Sequence, residues 1–378
     1  MPLLVVSGVP LSFFIESLVA PVAETMWRSL YCADGADDDT DRRLLRDLLP
    51  HVRFLSIQTD VGVKQTDAIS IDLPGTVAAL DQFCASFDAS VAAIADEARR
   101  FRATHVVFDI SSLGPAVAAS LNVPSLAISN FDWCAIYESL AEREPRLWPH
   151  IEKHRALYRL ASQCIVLPGA TPMQSFSKLV PLPGWTGRRS LMTRENARAF
   201  LRMTDDTKYV MTAFGGHNAV KIDAEHATPG WRLVCVDPSP LKDGEVAETC
   251  SVVERSGFIV YRLAALRQTS KMRFVDVIAA SDVVLLKPGY GTVSEVILNG
   301  VPALWVSRPN FSEEQYLVAE LERHTATLQL DADALADSRK VFAAAARVHA
   351  QHARERALQT LPAPHNETLV QAILDWAK

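Results

Sequence analysis

The sequence predicts an α/β chain built as two parallel-sheet domains, and three observations carry that expectation. Strand-like apolar runs alternate with helix-like segments almost from end to end. The stretch Leu285 to Val306, LLKPGYGTVSEVILNGVPALWV, is a complete strand, glycine turn, helix and strand. The length of 378 residues exceeds one ordinary core and suits two domains of about 150–200 residues each.

The elements follow in order. Leu3 to Ser7 is a strand and Phe14 to Met26 a helix. Val52 to Gln58 is the next strand, and Pro74 to Arg102 a long helix with apolar residues at helical spacing. His105 to Asp109, Ser125 to Ser129 and Gln163 to Leu167 are β-rich apolar runs and read as strands, with helices between them. Pro181 to Arg189, PLPGWTGRR, has prolines and glycines but little periodicity, and marks the crossing between domains. Tyr209 to Phe214, Trp231 to Val236, Val283 to Leu286 and Ala303 to Val306 are the strands of the second half. Glu367 to Trp376 is a last helix after Pro362 and Pro364, placed to cross back onto the first domain. The expected domains are residues 1–180 and 190–378, both Rossmann-like. The acidic stretch Asp34 to Asp41 reads as a solvated loop.

Composition removes several classes of function. A net charge of -6 with no basic cluster argues against a nucleic-acid surface. The six cysteines lack CxxC spacing, so they read as reduced thiols in a cytoplasmic protein, with no metal site. No run of about 20 uninterrupted apolar residues indicates a membrane span. Met1 to Ala20 lacks a basic start and contains Pro10 and Glu16, which fits a strand and helix better than a signal peptide.

The chemistry concentrates in the glycine turn. Gly289 and Gly291 precede Thr292, placed as the N-cap of a helix that holds Ser294 and Glu295 in its first turn. A helix start of this kind offers N–H groups and a positive dipole end to a phosphate. Glu295 would repel a bare phosphate but can accept from two sugar hydroxyls, so the combination asks for a nucleotide. Gly215 and Gly216, after another apolar strand, offer a second phosphate-facing turn or a plain tight turn. His217 either donates to a phosphate oxygen or caps a helix. Glu314 and Gln315 open a later helix, where acidic residues also favour the dipole; Gln315 is the better ligand because it donates and accepts.

With those residues in view, the second half resembles the nucleotide-binding domain of GT-B glycosyltransferases of the family 28 type. Thr292-Val293-Ser294-Glu295 and Ser312-Glu313-Glu314-Gln315-Tyr316 are similar to that family's two motifs. The first motif's glutamate holds the ribose and a residue of the second touches the nucleoside. Most of the chain also resembles the glycosyltransferase-like N-terminal region of plant L-arabinokinase and its stand-alone bacterial relatives. The matching pieces are Asp60 to Asp72, Ser129 to Trp133, Pro168 to Met173 and Phe214 to Gly216, besides the glycine turn.

The resemblance implies a nucleotide-diphosphate sugar as donor substrate, a small-molecule or glycan acceptor, and no further cofactor. Two departures qualify it. Pro2 to Gly8 looks like the family's second strand, so the first strand and its glycine- and histidine-rich loop are expected to be missing from the first domain. No glycine- and serine-rich kinase phosphate loop precedes Lys378, so sugar-kinase activity is not implied. Without the histidine loop, the base that takes the acceptor proton must come from elsewhere. Asp109, at a strand end where open α/β sheets bind ligands, is the first candidate, with Asp60 and Asp67 beside it. The alternative for each is a cap or turn residue. Transfer of the sugar to an acceptor hydroxyl is the expected function. The alternatives are a non-catalytic nucleotide-sugar-binding module and a GT-B-fold nucleotide-sugar epimerase or hydrolase. Sugar, base, acceptor and oligomeric state are not legible.

Overall fold

The structure is a computed structural model that describes residues 2–7, 28–33, 52–67, 69–214, 222, 228–239, 241, 244–247, 251–255, 258–355 and 360–378. The expected helix Phe14 to Met26 and the acidic stretch Asp34 to Asp41 lie outside the described residues.

Two seven-stranded sheets organise the chain. The first contains β1 (Pro2–Ser7), β2 (Arg28–Ala33), β3 (Val52–Ser56), β4 (His105–Asp109), β5 (Ser125–Ser129), β6 (Gln163–Val166) and β7 (Leu179–Pro181). Its order is β3-β2-β1-β4-β5-β6-β7, and every pairing is parallel. Pro2–Ser7 takes the centre, hydrogen-bonded to β2 on one side and β4 on the other. The expectation of an absent central strand is therefore corrected: the ladder is unbroken, because this apolar run fills the position itself.

The second sheet contains β8 (Lys208–Ala213), β9 (Trp231–Asp237), β10 (Val252–Arg255), β11 (Phe258–Arg262), β12 (Val283–Leu286), β13 (Ala303–Trp305) and β14 (Thr327–Gln329). The order is β10-β11-β9-β8-β12-β13-β14, parallel except for the edge pair β10–β11. Helices flank both sheets, so the central strands are buried on both faces. All four residues of the apolar run β12 are buried, and so are all five of β5, whose apolar centre Leu126–Ile128 is flanked by the buried Ser125 and Ser129.

The long helix α1 (Leu73–Phe101) shows how local sequence places an element. Asp72 caps it by accepting from the Gly75 N–H at 2.9 Å, and Arg102 ends it in the left-handed region. Leu73, Val77, Leu80, Phe83, Phe87 and Ile94 form its buried stripe, part of the first domain's core. By length and composition α1 would suffice to cross a membrane, but this packed stripe is the ordinary face of a core helix and establishes no span. The remaining helices of the first half are α2 (Leu113–Leu121), α3 (Trp133–Ala141) and α4 (Trp148–Tyr158). In the second half they are α5 (Arg194–Phe200), α6 (Leu263–Ser270), α7 (Phe274–Ala280), α8 (Tyr290–Asn299), α9 (Glu313–His324), α10 (Ser338–Glu355) and α11 (Asn366–Trp376).

The crossing is packed rather than slack. Trp185 and Thr186 are buried, and Gly187 exchanges two hydrogen bonds with the Asn366 amide, at 3.0 and 2.9 Å. The last helix does return to the first domain, where the Trp376 ring meets His105 of β4 edge-on at 5.1 Å.

The buried stripe of α1 gives a direct test. Ile94 is fully buried there, so Ile94→Ala removes packing and leaves a cavity. The expected loss is about 2–5 kcal/mol, seen as a lower urea midpoint at unchanged slope. A loss under about 1 kcal/mol would show that the helix does not pack as described.

Candidate functional site

The chain segments that follow β5 and β12 meet at the seam between the two halves. Among the described residues, polar bridges cross it at four places. Asn130, just after β5, donates to Glu313 Oε1 at 2.8 Å, and Lys287, just after β12, reaches Gln65 Oε1 at 3.4 Å. The Ser312 hydroxyl donates to the Ala135 carbonyl at 2.9 Å, and the Ser139 hydroxyl to the Asn310 carbonyl at 2.8 Å.

On the second-domain side, helix α8 begins three residues earlier than expected. Gly289, in extended backbone, is the N-cap and no side chain caps it, so Thr292 lies within the first turn with Gly291. The correction has a simple cause: a glycine turns straight from the strand exit into the helix. A Cβ built on Gly289 would meet nothing within 4 Å, so the space before this helix start is open. Two cations stand beside it. Burial, and then the neighbouring Arg308 charge, push the Lys287 ammonium down to about 8. Arg308 donates to the Pro288 carbonyl at 2.6 Å, stacks over Phe311 at 3.8 Å and lies 3.8 Å from Glu313. Neither Lys287 nor Arg308 is among the residues singled out in the sequence. The signal was a lysine interrupting the apolar run just before Pro288 and an arginine two residues past Val306.

Ser294 and Glu295 do not face that opening. The Ser294 hydroxyl donates to the Gly291 carbonyl at 3.0 Å and packs against Gly187. The Glu295 carboxylate, 2% exposed, is bonded by Arg188 Nε of the crossing. Both residues stitch α8 to the crossing, and Glu295 reaches a ribose only by sharing or releasing Arg188. Glu314 is likewise engaged, accepting from the Ser307 hydroxyl and the Arg308 N–H. Gln315 is exposed and donates to the Ser312 carbonyl at 3.3 Å. Gly215, Gly216 and His217 lie outside the described residues.

On the first-domain side, Asp60 and Asp109 come together and Asp67 does not. Burial, and then the Asp60 charge, push the Asp109 carboxyl up to about 7. Asp60 is held on both oxygens, by the Val61 N–H at 2.8 Å and by the Trp133 indole. Asp109 leaves β4 through Ile110, whose φ of 57° is costly for a β-branched residue. The turn is pinned by the Tyr158 hydroxyl on the Ile110 carbonyl at 2.6 Å and by the Ser111 hydroxyl on the Thr59 carbonyl at 2.5 Å. Asp67 is exposed, and its Oδ1 accepts from the Ile69 and Ser70 N–H groups at 2.9 and 2.8 Å. Those bonds keep its carboxyl below the usual range, so Asp67 is a turn residue poorly suited to accept a proton.

No family model matches the chain. It is 30% identical over 288 residues to L-arabinokinase from Arabidopsis thaliana; the match takes in 72% of this chain but spans only 25% of that relative. Among solved structures, it superposes on a UDP-glucosyltransferase from Polygonum tinctorium with a TM-score of 0.61 at 13% identity, over 100% of this chain and 99% of that one. The calicheamicin glycosyltransferase CalG4 gives a TM-score of 0.57 at 16% identity, over 94% and 92%. MurG from Acinetobacter baumannii gives 0.52 at 14%, over 99% and 100%. The chain has the two-domain GT-B fold of these glycosyltransferases.

The Arg188–Glu295 pair sets an expectation. Truncating one partner of a buried ion pair strands the other charge, at about 3–5 kcal/mol. Glu295→Ala should therefore lower the unfolding free energy in denaturant by that amount. A change of a few tenths of a kcal/mol would return Glu295 to the status of an open, ligand-facing carboxylate.

Proposed function

We propose that this GT-B chain binds a nucleoside diphosphate sugar at the strand ends of its second sheet and transfers the sugar to a hydroxyl held by the first. One observation carries the reading: Lys287 and Arg308 flank the open, uncapped start of α8. Two positive groups and a helix N-terminus converging on empty space suit a diphosphate, which relieves their mutual repulsion. The superposed proteins are glycosyltransferases, one of them a UDP-glucosyltransferase, which supports the same donor class.

The step is a displacement. The acceptor oxygen bonds to the anomeric carbon as its proton passes to the Asp109 carboxylate. The bond from that carbon to the phosphate oxygen breaks, and the nucleoside diphosphate leaves with the electron pair. Lys287, Arg308 and the α8 terminus stabilise the charge that develops on it. Asp109, near 7, is poised to exchange a proton at neutral pH, and Asp60 tunes it without taking part. We assign Gly215, Gly216 and His217 to binding of the diphosphate and Gln315 to the nucleoside. Gly291 and Thr292 belong to the phosphate-facing turn, while Glu295 serves first to hold the crossing.

The test is release of nucleoside diphosphate from a panel of UDP-, dTDP-, GDP- and ADP-sugars by the full chain, with simple alcohols and sugars as acceptors. The rate should rise with pH through about 7, as Asp109 loses its proton. Asp109→Asn should cut it by about 10²–10⁴. A rate that is flat across that pH range and unaffected by Asp109→Asn would remove Asp109 as the base.

A further inference from the structure

In the first domain, and apart from the carboxylates and cations described above, α1 and α4 bring together a cysteine, a histidine and an aspartate. The His150 Nδ1 lies 3.6 Å from Cys84 Sγ, and its Nε2 lies 3.0 Å from Asp81 Oδ1. Asp81 and Cys84, three residues apart, share one face of α1. Asp81 can only accept, so it fixes the ring as the tautomer with its proton on Nε2. Nδ1 is then left with a lone pair directed at the thiol. A nucleophile, a base and a group that orients the base, in that order, form an activated-nucleophile arrangement.

The surroundings set Cys84 apart from the other described thiols. Cys134 and Cys164 are buried, and burial pushes the Cys134 thiol up to about 12, so neither is a ready nucleophile. Cys84 is half-buried. One turn further along both helices, the Lys153 ammonium lies 4.4 Å from the centre of the Phe87 ring. That cation favours an anionic co-reactant.

We infer that Cys84 is a thiol–disulfide exchange site, activated by His150 and Asp81, that takes a small anionic disulfide such as oxidised glutathione. The thiol proton passes to His150 Nδ1 and the sulfur attacks one sulfur of the disulfide. The old S–S bond breaks, and the departing thiolate takes a proton from the imidazolium. Cys84 ends oxidised in a mixed disulfide, and half of the reagent ends reduced as a free thiol.

The experiment exposes the full chain to oxidised glutathione and follows each cysteine by peptide mass spectrometry. Cys84 should be modified about tenfold faster than Cys235, the other half-exposed thiol among the described residues. Asp81→Asn should slow Cys84 about tenfold while leaving Cys235 unchanged. Asp81→Glu, which keeps the carboxylate, should restore most of the rate, as a merely structural role would not require. Asp81 is exposed, so these variants decide the matter even if His150→Gln unfolds. Equal rates at Cys84 and Cys235, or no effect of Asp81→Asn, would overturn the inference.

Discussion

The seam depends on a single buried carboxylate. Glu313, in the first turn of α9, accepts from Asn130 of the first domain and lies beside Arg308 of the second. Burial raises its carboxyl, while Arg308 and the Asn130 amide oppose that shift. A helix N-terminus favours the ionised form as well. Isolated, such a charge would be expensive; between an amide and a guanidinium it becomes the point at which two separately folded sheets are held in register. The bond from Asn130 sets the β5 exit opposite the α9 start, while Arg308 is kept next to Lys287 by the Pro288 carbonyl.

The two sides of the seam are electrically complementary. The second domain offers cations and a helix dipole, where a diphosphate would leave. The first offers a pair of carboxylates, one fully hydrogen-bonded and one raised towards neutrality. Burial, and then a like charge nearby, push Asp109 up and Lys287 down. The same physics thus leaves a carboxyl near neutrality on one side and a less readily protonated ammonium on the other. The strained turn at Ile110 follows Asp109 directly, tied by hydroxyls from α4 and the β4–α2 turn.

Much of this was legible in the sequence, for identifiable reasons. Doubly buried strands such as Val283–Leu286, and the Leu126–Ile128 centre of β5, declare themselves as continuous apolar runs. Edge strands do not: β7 and β14 are three residues each, and the β10–β11 pair breaks the parallel pattern. The role of Glu295 could not be read locally, because its partner Arg188 is 107 residues away. Nor could the pairing of Asp60 with Asp109, which depends on which strands become neighbours. Asp67 carried the same motif-like setting as Asp60, and only the turn it caps separates them. The central place of Pro2–Ser7 was misjudged for a related reason, since position within a sheet is a property of pairing rather than of the strand's own residues.

The most direct test of the diphosphate seat is a phosphorus NMR titration of a nucleoside diphosphate with the full chain. The account predicts that the β-phosphate resonance shifts and broadens. With Lys287→Met the effect should fall away, and the parent nucleoside, followed by its proton signals, should show far weaker binding. An unshifted β-phosphate, or equal binding of the nucleoside and its diphosphate, would contradict it.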